Sequence, residues 1–87
     1  MATIDITGGP SKDELVSRML SSLPVTFLTT SGSTEVLIEE IRETDASRNH
    51  LSLIGRILVG THTGARVEGQ YDCQRMIGTM DVTANGA

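Results

Sequence analysis

Aromatic side chains are nearly absent from this sequence. Of its 87 residues only Phe27 and Tyr71 are aromatic, and tryptophan does not occur. Because aromatic side chains supply much of the buried area in most cores, this core must be built from Leu, Ile, Val and Met. A small core of this kind gains stability when copies of the chain associate, so we expect a homo-oligomer.

Cysteine is also scarce, and long apolar runs are missing. Cys73 is the single cysteine, which excludes an internal disulfide and a cysteine-based zinc set and favours a reducing compartment. No stretch of about 18 apolar residues occurs, and residues 1–10 have neither a basic region nor an apolar run. We therefore expect a cytoplasmic protein with no membrane association.

Charge is unevenly distributed along the chain. The net charge is −4, and residues 1–45 hold eight acidic against three basic residues, whereas the remainder holds three acidic against four basic residues. This asymmetry predicts either one acidic and one mildly basic face or a scattered, solvated surface. A monomer with this charge and two aromatic residues has neither a broad basic field nor a stacking platform for nucleic acid.

The clearest local signal is the start of a helix at Ser11. Ser11 and Glu14 have the spacing of a capping box, and Asp13 and Glu14 suit the positive end of a helix dipole. Apolar residues then recur at helical spacing until Pro24, which cannot continue a helix. The pattern predicts a helix over residues 12–22.

After Pro24, β-branched residues and short apolar runs are separated by glycines, a texture typical of strands and turns. Residues from Ser33 onward also fit a short helix, but three of the four apolar residues there are β-branched, which favours a strand. Gly55 lies within the most apolar stretch and predicts a bulge or a sharp bend. The predicted strands are Val25–Thr30, Thr34–Ile41, Leu51–Val59, Ala65–Tyr71 and Arg75–Val82.

No constellation of catalytic or metal-binding residues is found. His50 and His62 are the only histidines, and neither has a histidine four residues away or a cysteine cluster nearby. Gly8-Gly9-Pro10 precedes a helix but lacks the lysine and the longer glycine loop of a phosphate-binding motif. We therefore expect a protein that is not an enzyme and needs no cofactor or metal.

The acidic residues of the central segment are the leading candidates for a binding site. They fit a partner with a basic surface, such as a nucleic-acid-binding machine that a small phage-type inhibitor or regulator blocks. Their alternative role is a solvated edge that resists aggregation. The predicted partner-binding residues are Glu35, Glu39, Glu40, Glu43 and Asp45.

Two segments resemble the Sm-like proteins, including the Hfq-type RNA chaperones. Residues 20–32 look like the family's passage from helix to first strand and glycine turn, and Tyr71 with Ile77-Gly78-Thr79-Met80 looks like its last turn and strand. Asp72 and Cys73 stand where the family has lysine and histidine. The resemblance implies an N-terminal helix and five bent strands, a ring formed through edge strands, and Tyr71 near an RNA-contacting rim.

The predicted fold is thus α+β, with an N-terminal helix followed by about five short, bent antiparallel strands. They form a small Sm-like or SH3-like barrel or a curled sheet. One domain covers residues 1–87, with a flexible lead-in at 1–10 and a loose tail at 83–87. Two alternatives to protein binding remain: a small-molecule site at a subunit interface that uses His62 or Cys73, and an oligomeric RNA binder that uses Arg48, Arg56, Arg66, Arg75 and Tyr71.

Overall fold

The structure is a computed structural model that describes residues 2–44, 49–60 and 62–83. Strands dominate this part of the chain, and a single short helix lies between the first two of them. In chain order the elements are β1 (Ala2–Gly8), α1 (Lys12–Leu20), β2 (Val25–Thr29), β3 (Gly32–Glu43), β4 (His50–Val59), β5 (Arg66–Asp72) and β6 (Ile77–Val82).

Six strands form a closed antiparallel barrel in which each strand pairs with its neighbour in sequence and β1 also pairs with β6. The β1–β6 ladder is regular over five residue pairs, from Ala2 opposite Val82 to Ile6 opposite Gly78. Residues 2–8 were expected to belong to a flexible lead-in, and they instead supply the strand that closes the barrel. Closure leaves no long sheet edge among the described residues, except along part of β1.

Helix α1 begins as the sequence predicts. The Ser11 hydroxyl accepts a hydrogen bond from the Glu14 backbone N–H at 3.3 Å. Leu15 is fully buried and Met19 packs against the core, whereas Leu20 is 75% exposed. The helix ends at Leu20 instead of residue 22, because Ser21 is the C-cap and Ser22 has a positive φ of 57°, which cannot continue a right-handed helix.

The segment from Ser33 onward is strand and not helix, as the β-branched residues indicated. Strand β3 is long enough to pair with β2 through its first half and with β4 through most of its length. Thr34, Val36 and Ile38 alternate inward and are buried, which is the period of a strand. This long strand therefore joins β2 to β4 in the barrel.

Two register shifts bend the β3–β4 ladder. One lies in β3 between Ile38 and Glu40, opposite Gly55, so the irregularity predicted at Gly55 falls on the facing strand. The second makes Leu58 an extra residue in β4. Val59, which a regular strand would place on the same face as Leu51, is 56% exposed. One inserted residue reverses which face the following side chains occupy, which explains the exposure of Val59.

The core is aliphatic apart from the two aromatic residues. Phe27 and Tyr71 are fully buried and pack edge to face, with ring centroids 5.3 Å apart. The Tyr71 hydroxyl donates a hydrogen bond to the Pro10 carbonyl oxygen at 2.8 Å. This bond ties the segment before α1 to the centre of the barrel.

At the level of fold, the chain is a small closed β-barrel with one short helix, consistent with the small Sm-like or SH3-like barrel predicted. The helix lies between β1 and β2 and not at the N-terminus, and six strands replace about five. Within the described part of the chain, no helix has the length and apolar character that a membrane crossing requires. Residues 84–87 of the expected tail lie outside the described residues.

Candidate functional site

Two of the acidic residues predicted to bind a partner are already engaged within the chain. Glu43 Oε2 lies 2.6 Å from Lys12 Nζ, an ion pair that fastens α1 to the end of β3. Glu40 Oε2 is shielded from solvent and lies 2.6 Å from Arg42 Nε. The two groups attract each other by charge, but they do not have the geometry of a hydrogen bond. Both carboxylates therefore have internal counter-ions.

The other predicted acidic residues do not complete a single patch. Glu35 stands opposite the exposed Val59, and Glu39 occupies the bulge of β3. Neither has an ion pair among the described residues. Asp45 lies outside the described residues. Of the five predicted partner-binding residues, Glu35 and Glu39 are therefore the two that the structure describes without an ion pair.

Closure of the barrel assembles a different acidic surface. On the outer face, Glu40 of β3 stands opposite Ile54 of β4, and Ile54 stands opposite Glu68 of β5. Glu68 also stands opposite Asp81 of β6. Asp81 in turn stands opposite Thr3, whose hydroxyl donates to Asp81 Oδ1 at 3.0 Å. We call Glu40, Glu68 and Asp81 the acidic row.

The acidic row concentrates charge at a cost to stability. Glu68 and Asp81 are directly opposite each other on adjacent strands, and like charges in that arrangement repel. Both side chains are exposed, and neither has an ion pair among residues 2–44, 49–60 and 62–83. The row therefore holds two carboxylates, Glu68 and Asp81, without an ion pair in the described part of the chain, whereas Glu40 is paired with Arg42.

The arginines proposed for RNA binding are dispersed. Arg56 and Arg66 stand directly opposite each other in the row beside the acidic row, and Arg56 donates to the Gly64 carbonyl oxygen at 3.1 Å. Arg75 lies at the other end of the barrel, in the β5–β6 turn, where its Nε is 4.0 Å from Asp72 Oδ2. Arg48 lies outside the described residues. Of the three arginines of this set that the structure describes, Arg56 and Arg66 are adjacent and Arg75 is apart from them.

Tyr71 is a core residue and does not reach a rim. It is 0% exposed, and so is Phe27, the only other aromatic residue of the chain. The implied position of Tyr71 at a rim is therefore wrong, and neither aromatic side chain is exposed to stack on a base.

The burial of Tyr71 gives a pH prediction. Desolvation, with smaller contributions from Cys73 and Asp72, raises the pKa of Tyr71 from 10.0 to about 12. Between these values the unfolded chain loses this proton before the folded chain does, so stability falls as pH rises from about 10 to about 12. We expect the loss to approach about 2–3 kcal/mol.

Tyrosinate absorbance measures this shift directly because the chain has one tyrosine and no tryptophan. The midpoint of the Tyr71 titration should lie near pH 12 in the native protein and near pH 10 in denaturant. If the protein unfolds in alkali below pH 12, the midpoint should instead coincide with that unfolding. A native midpoint near 10, with the fold intact by circular dichroism, would place Tyr71 at the surface.

A cleft opens where β1 and β2 diverge. Its volume is about 540 Å³, within the range of small-ligand sites, and we call it the β1 cleft. One wall is the N-terminal half of β1, the second is the β2–β3 hairpin, and the third is the β4–β5 connection. Hydroxyl groups predominate along it, and the lining residues are Thr3, Ile4, Asp5, Thr29, Thr30, Ser31, Ser33, Thr34, Gly60 and His62.

The residues considered for chemistry are separated by the fold. His62 lines the β1 cleft, whereas Cys73 is buried and its thiol donates to the Asn49 carbonyl oxygen at 3.2 Å. His50 Nε2 lies 3.7 Å from Asp72 Oδ2, beside a shallow pocket of about 210 Å³. Among the described residues, no group of three or more His, Cys, Asp or Glu side chains is arranged to hold a metal ion.

Sequence reasoning missed the acidic row because its members are far apart in the chain. Glu40, Glu68 and Asp81 become neighbours only through the register of β3 to β6. The strand that completes the row and forms a wall of the β1 cleft did leave a signal, since Ala2, Ile4 and Ile6 alternate with polar residues. Comparisons with protein-family models, curated proteins and solved structures found no match for this chain.

Proposed function

We propose that the protein is a non-enzymatic binding module that engages a basic protein surface through the outer face of its barrel. The acidic row is the observation that supports this proposal. Glu68 of β5 and Asp81 of β6 stand directly opposite each other, and cationic side chains of a partner would relieve their repulsion.

The charge balance of the surface points the same way. Glu35, Glu39, Glu68 and Asp5 have no ion pair among the described residues, and the net charge of the chain is −4. A surface of this sign steers a basic partner toward it and repels nucleic acid. Proteins that bind nucleic acid carry basic surfaces, so the proposed module acts as a regulator that competes with nucleic acid for such a surface.

The rigid barrel favours binding over a conformational mechanism. The acidic row spans β3 to β6, whose side chains alternate between the outer face and a packed core. The strand register therefore fixes the backbone positions of these residues before a partner arrives, which lowers the entropy lost on association.

The test compares two variants that remove the same charge from different places. Glu68→Gln with Asp81→Asn neutralises the acidic row, whereas Glu35→Gln with Glu39→Gln neutralises β3. Titration calorimetry with decalysine, a stand-in for a basic protein surface, should show binding that weakens as salt rises toward about 0.15 M. The row variant should bind about fivefold or more weakly than the wild type, and the β3 variant should change less.

Two results would count against the proposal. If both variants lose the same affinity, only net charge matters and the acidic row is not a site. If the wild type shows no salt-sensitive binding of decalysine, the outer face does not recognise basic surfaces at all. Thermal unfolding of both variants verifies that the barrel is intact, and removal of the Glu68–Asp81 repulsion should leave the row variant at least as stable as the wild type.

A further inference from the structure

The N-terminal half of β1 is an open sheet edge. β1 pairs with β6 from Ala2 to Ile6, but on its other side only Ile6 and Gly8 pair with β2. β2 ends at Thr29 and the chain turns into β3, so nothing in the described ladders covers Ala2–Asp5 on that side. In an antiparallel strand alternate residues direct their backbone N–H and C=O groups to the same side, so half of this segment directs them away from β6.

The open edge coincides with the β1 cleft. Thr3, Ile4 and Asp5 form one wall of this cleft, and the hairpin residues Thr30 and Ser33 stand across it. The β1 cleft has a volume of about 540 Å³, and unpaired backbone groups lie along one of its walls. An extended peptide can form hydrogen bonds with such groups and so add a strand to the sheet. A compact ligand would leave the linear array of backbone donors and acceptors unused.

The side chains of the β1 cleft indicate what the peptide carries. Asp5 is exposed and has no ion pair among the described residues, and it is the only carboxylate in the lining. Thr30 and Ser33 offer exposed hydroxyls that donate and accept hydrogen bonds. The cleft therefore suits a peptide that has one basic side chain placed toward Asp5 and whose other side chains are uncharged or polar.

We propose that the β1 cleft binds an extended peptide segment of a partner, which pairs with Ala2–Asp5 as an added strand and directs a basic side chain toward Asp5. This inference goes beyond the acidic row, since it concerns a different surface and a different kind of contact. Binding would complete the ladder that β2 leaves unfinished, and the hairpin would limit the added strand to a few residues.

The probe is a phage-displayed library of random octapeptides selected on the full-length protein. Selection should enrich peptides that contain a lysine or arginine within a β-branched context, and one synthetic representative is then titrated by NMR. Hydrogen exchange is the decisive readout, since an added strand should slow the amides of alternate residues within Ala2–Asp5 by about tenfold or more.

Four variants test the location. Ser33→Arg places a bulky positive charge in the cleft wall and should weaken the selected peptide at least about tenfold, whereas Ser17→Arg adds the same charge on exposed α1 and should leave binding unchanged. Asp5→Asn should weaken peptides with a basic residue and spare those without one. Neutralising Glu68 and Asp81 should leave peptide binding unchanged, so this inference and the proposed function can fail separately.

Several outcomes would overturn the inference. The absence of enriched peptides, or enriched peptides that bind the Ser33→Arg variant as well as the wild type, would remove the cleft as a peptide site. Binding without protection of any β1 amide would exclude strand addition. Protection of those amides that appears without peptide, as protein concentration rises, would assign the edge to a second copy of the chain instead.

Discussion

Replacing Tyr71 with alanine is expected to lower the free energy of unfolding by about 3–5 kcal/mol. Tyr71 is fully buried, packs edge to face on Phe27, and donates to the Pro10 carbonyl oxygen. The substitution leaves a cavity and an unsatisfied acceptor in a core that has only one other aromatic residue. Because small domains are stable by only about 5–15 kcal/mol, this loss approaches the whole stability of the barrel.

Tyr71→Phe is the matched control. It keeps the ring and removes only the hydroxyl that donates to Pro10, so the expected cost is about 1–2 kcal/mol. Urea unfolding followed by circular dichroism measures both variants. A loss for Tyr71→Ala no greater than for Tyr71→Phe would show that the ring is not packed in the core.

Gly55→Ala is expected to cost about 3 kcal/mol, because an added methyl group would meet backbone and not a movable side chain. A Cβ at this position would lie 2.5 Å from the Leu37 carbonyl oxygen and 3.0 Å from a methyl carbon of Val36. Gly55 stands opposite Ile38, where β3 shifts register, so the two strands would have to separate at the bend of the barrel.

Gly8→Ala provides the comparison. A Cβ there would lie 3.0 Å from Leu28 Cδ1, the end of an exposed side chain that can rotate away. We expect a change below about 1 kcal/mol, since the entropy lost by the unfolded chain offsets the contact. Thermal melts of the two variants should differ clearly, and equal melting temperatures would mean that Leu37 does not approach Gly55 as described.

Local signals in the sequence were enough to predict α1 and the strands β2 to β6. Ser11 caps the helix that it was expected to cap, and the alternating runs around Phe27, Val36 and Leu53 became strands. These features depend on residues a few positions apart, which is the range over which capping and strand periodicity act.

The features on which the proposed function rests depend on distant residues, and the sequence could not reveal how they pair. The closure of β1 on β6 joins Ile4 to Met80, and the acidic row joins Glu40 to Glu68. The bulges in the β3–β4 ladder also change which side chains face outward, as they do at Val59. Nothing in the spacing of charges along the chain specifies these pairings, because register is set by how the whole barrel packs.

The β1 cleft has β1 as a wall, and Thr3 of β1 donates a hydrogen bond to Asp81 of the acidic row, so the pairing of β1 with β6 affects both surfaces. Nuclear Overhauser effects between backbone protons of facing strands measure this pairing directly. They should connect Ile4 with Met80 and Ile6 with Gly78, with slow amide exchange where β1 faces β6. Absence of these contacts, with β1 amides exchanging as in an unfolded chain while β3 to β5 remain protected, would contradict the closed barrel and the β1 cleft, and would remove the contact between Thr3 and the acidic row.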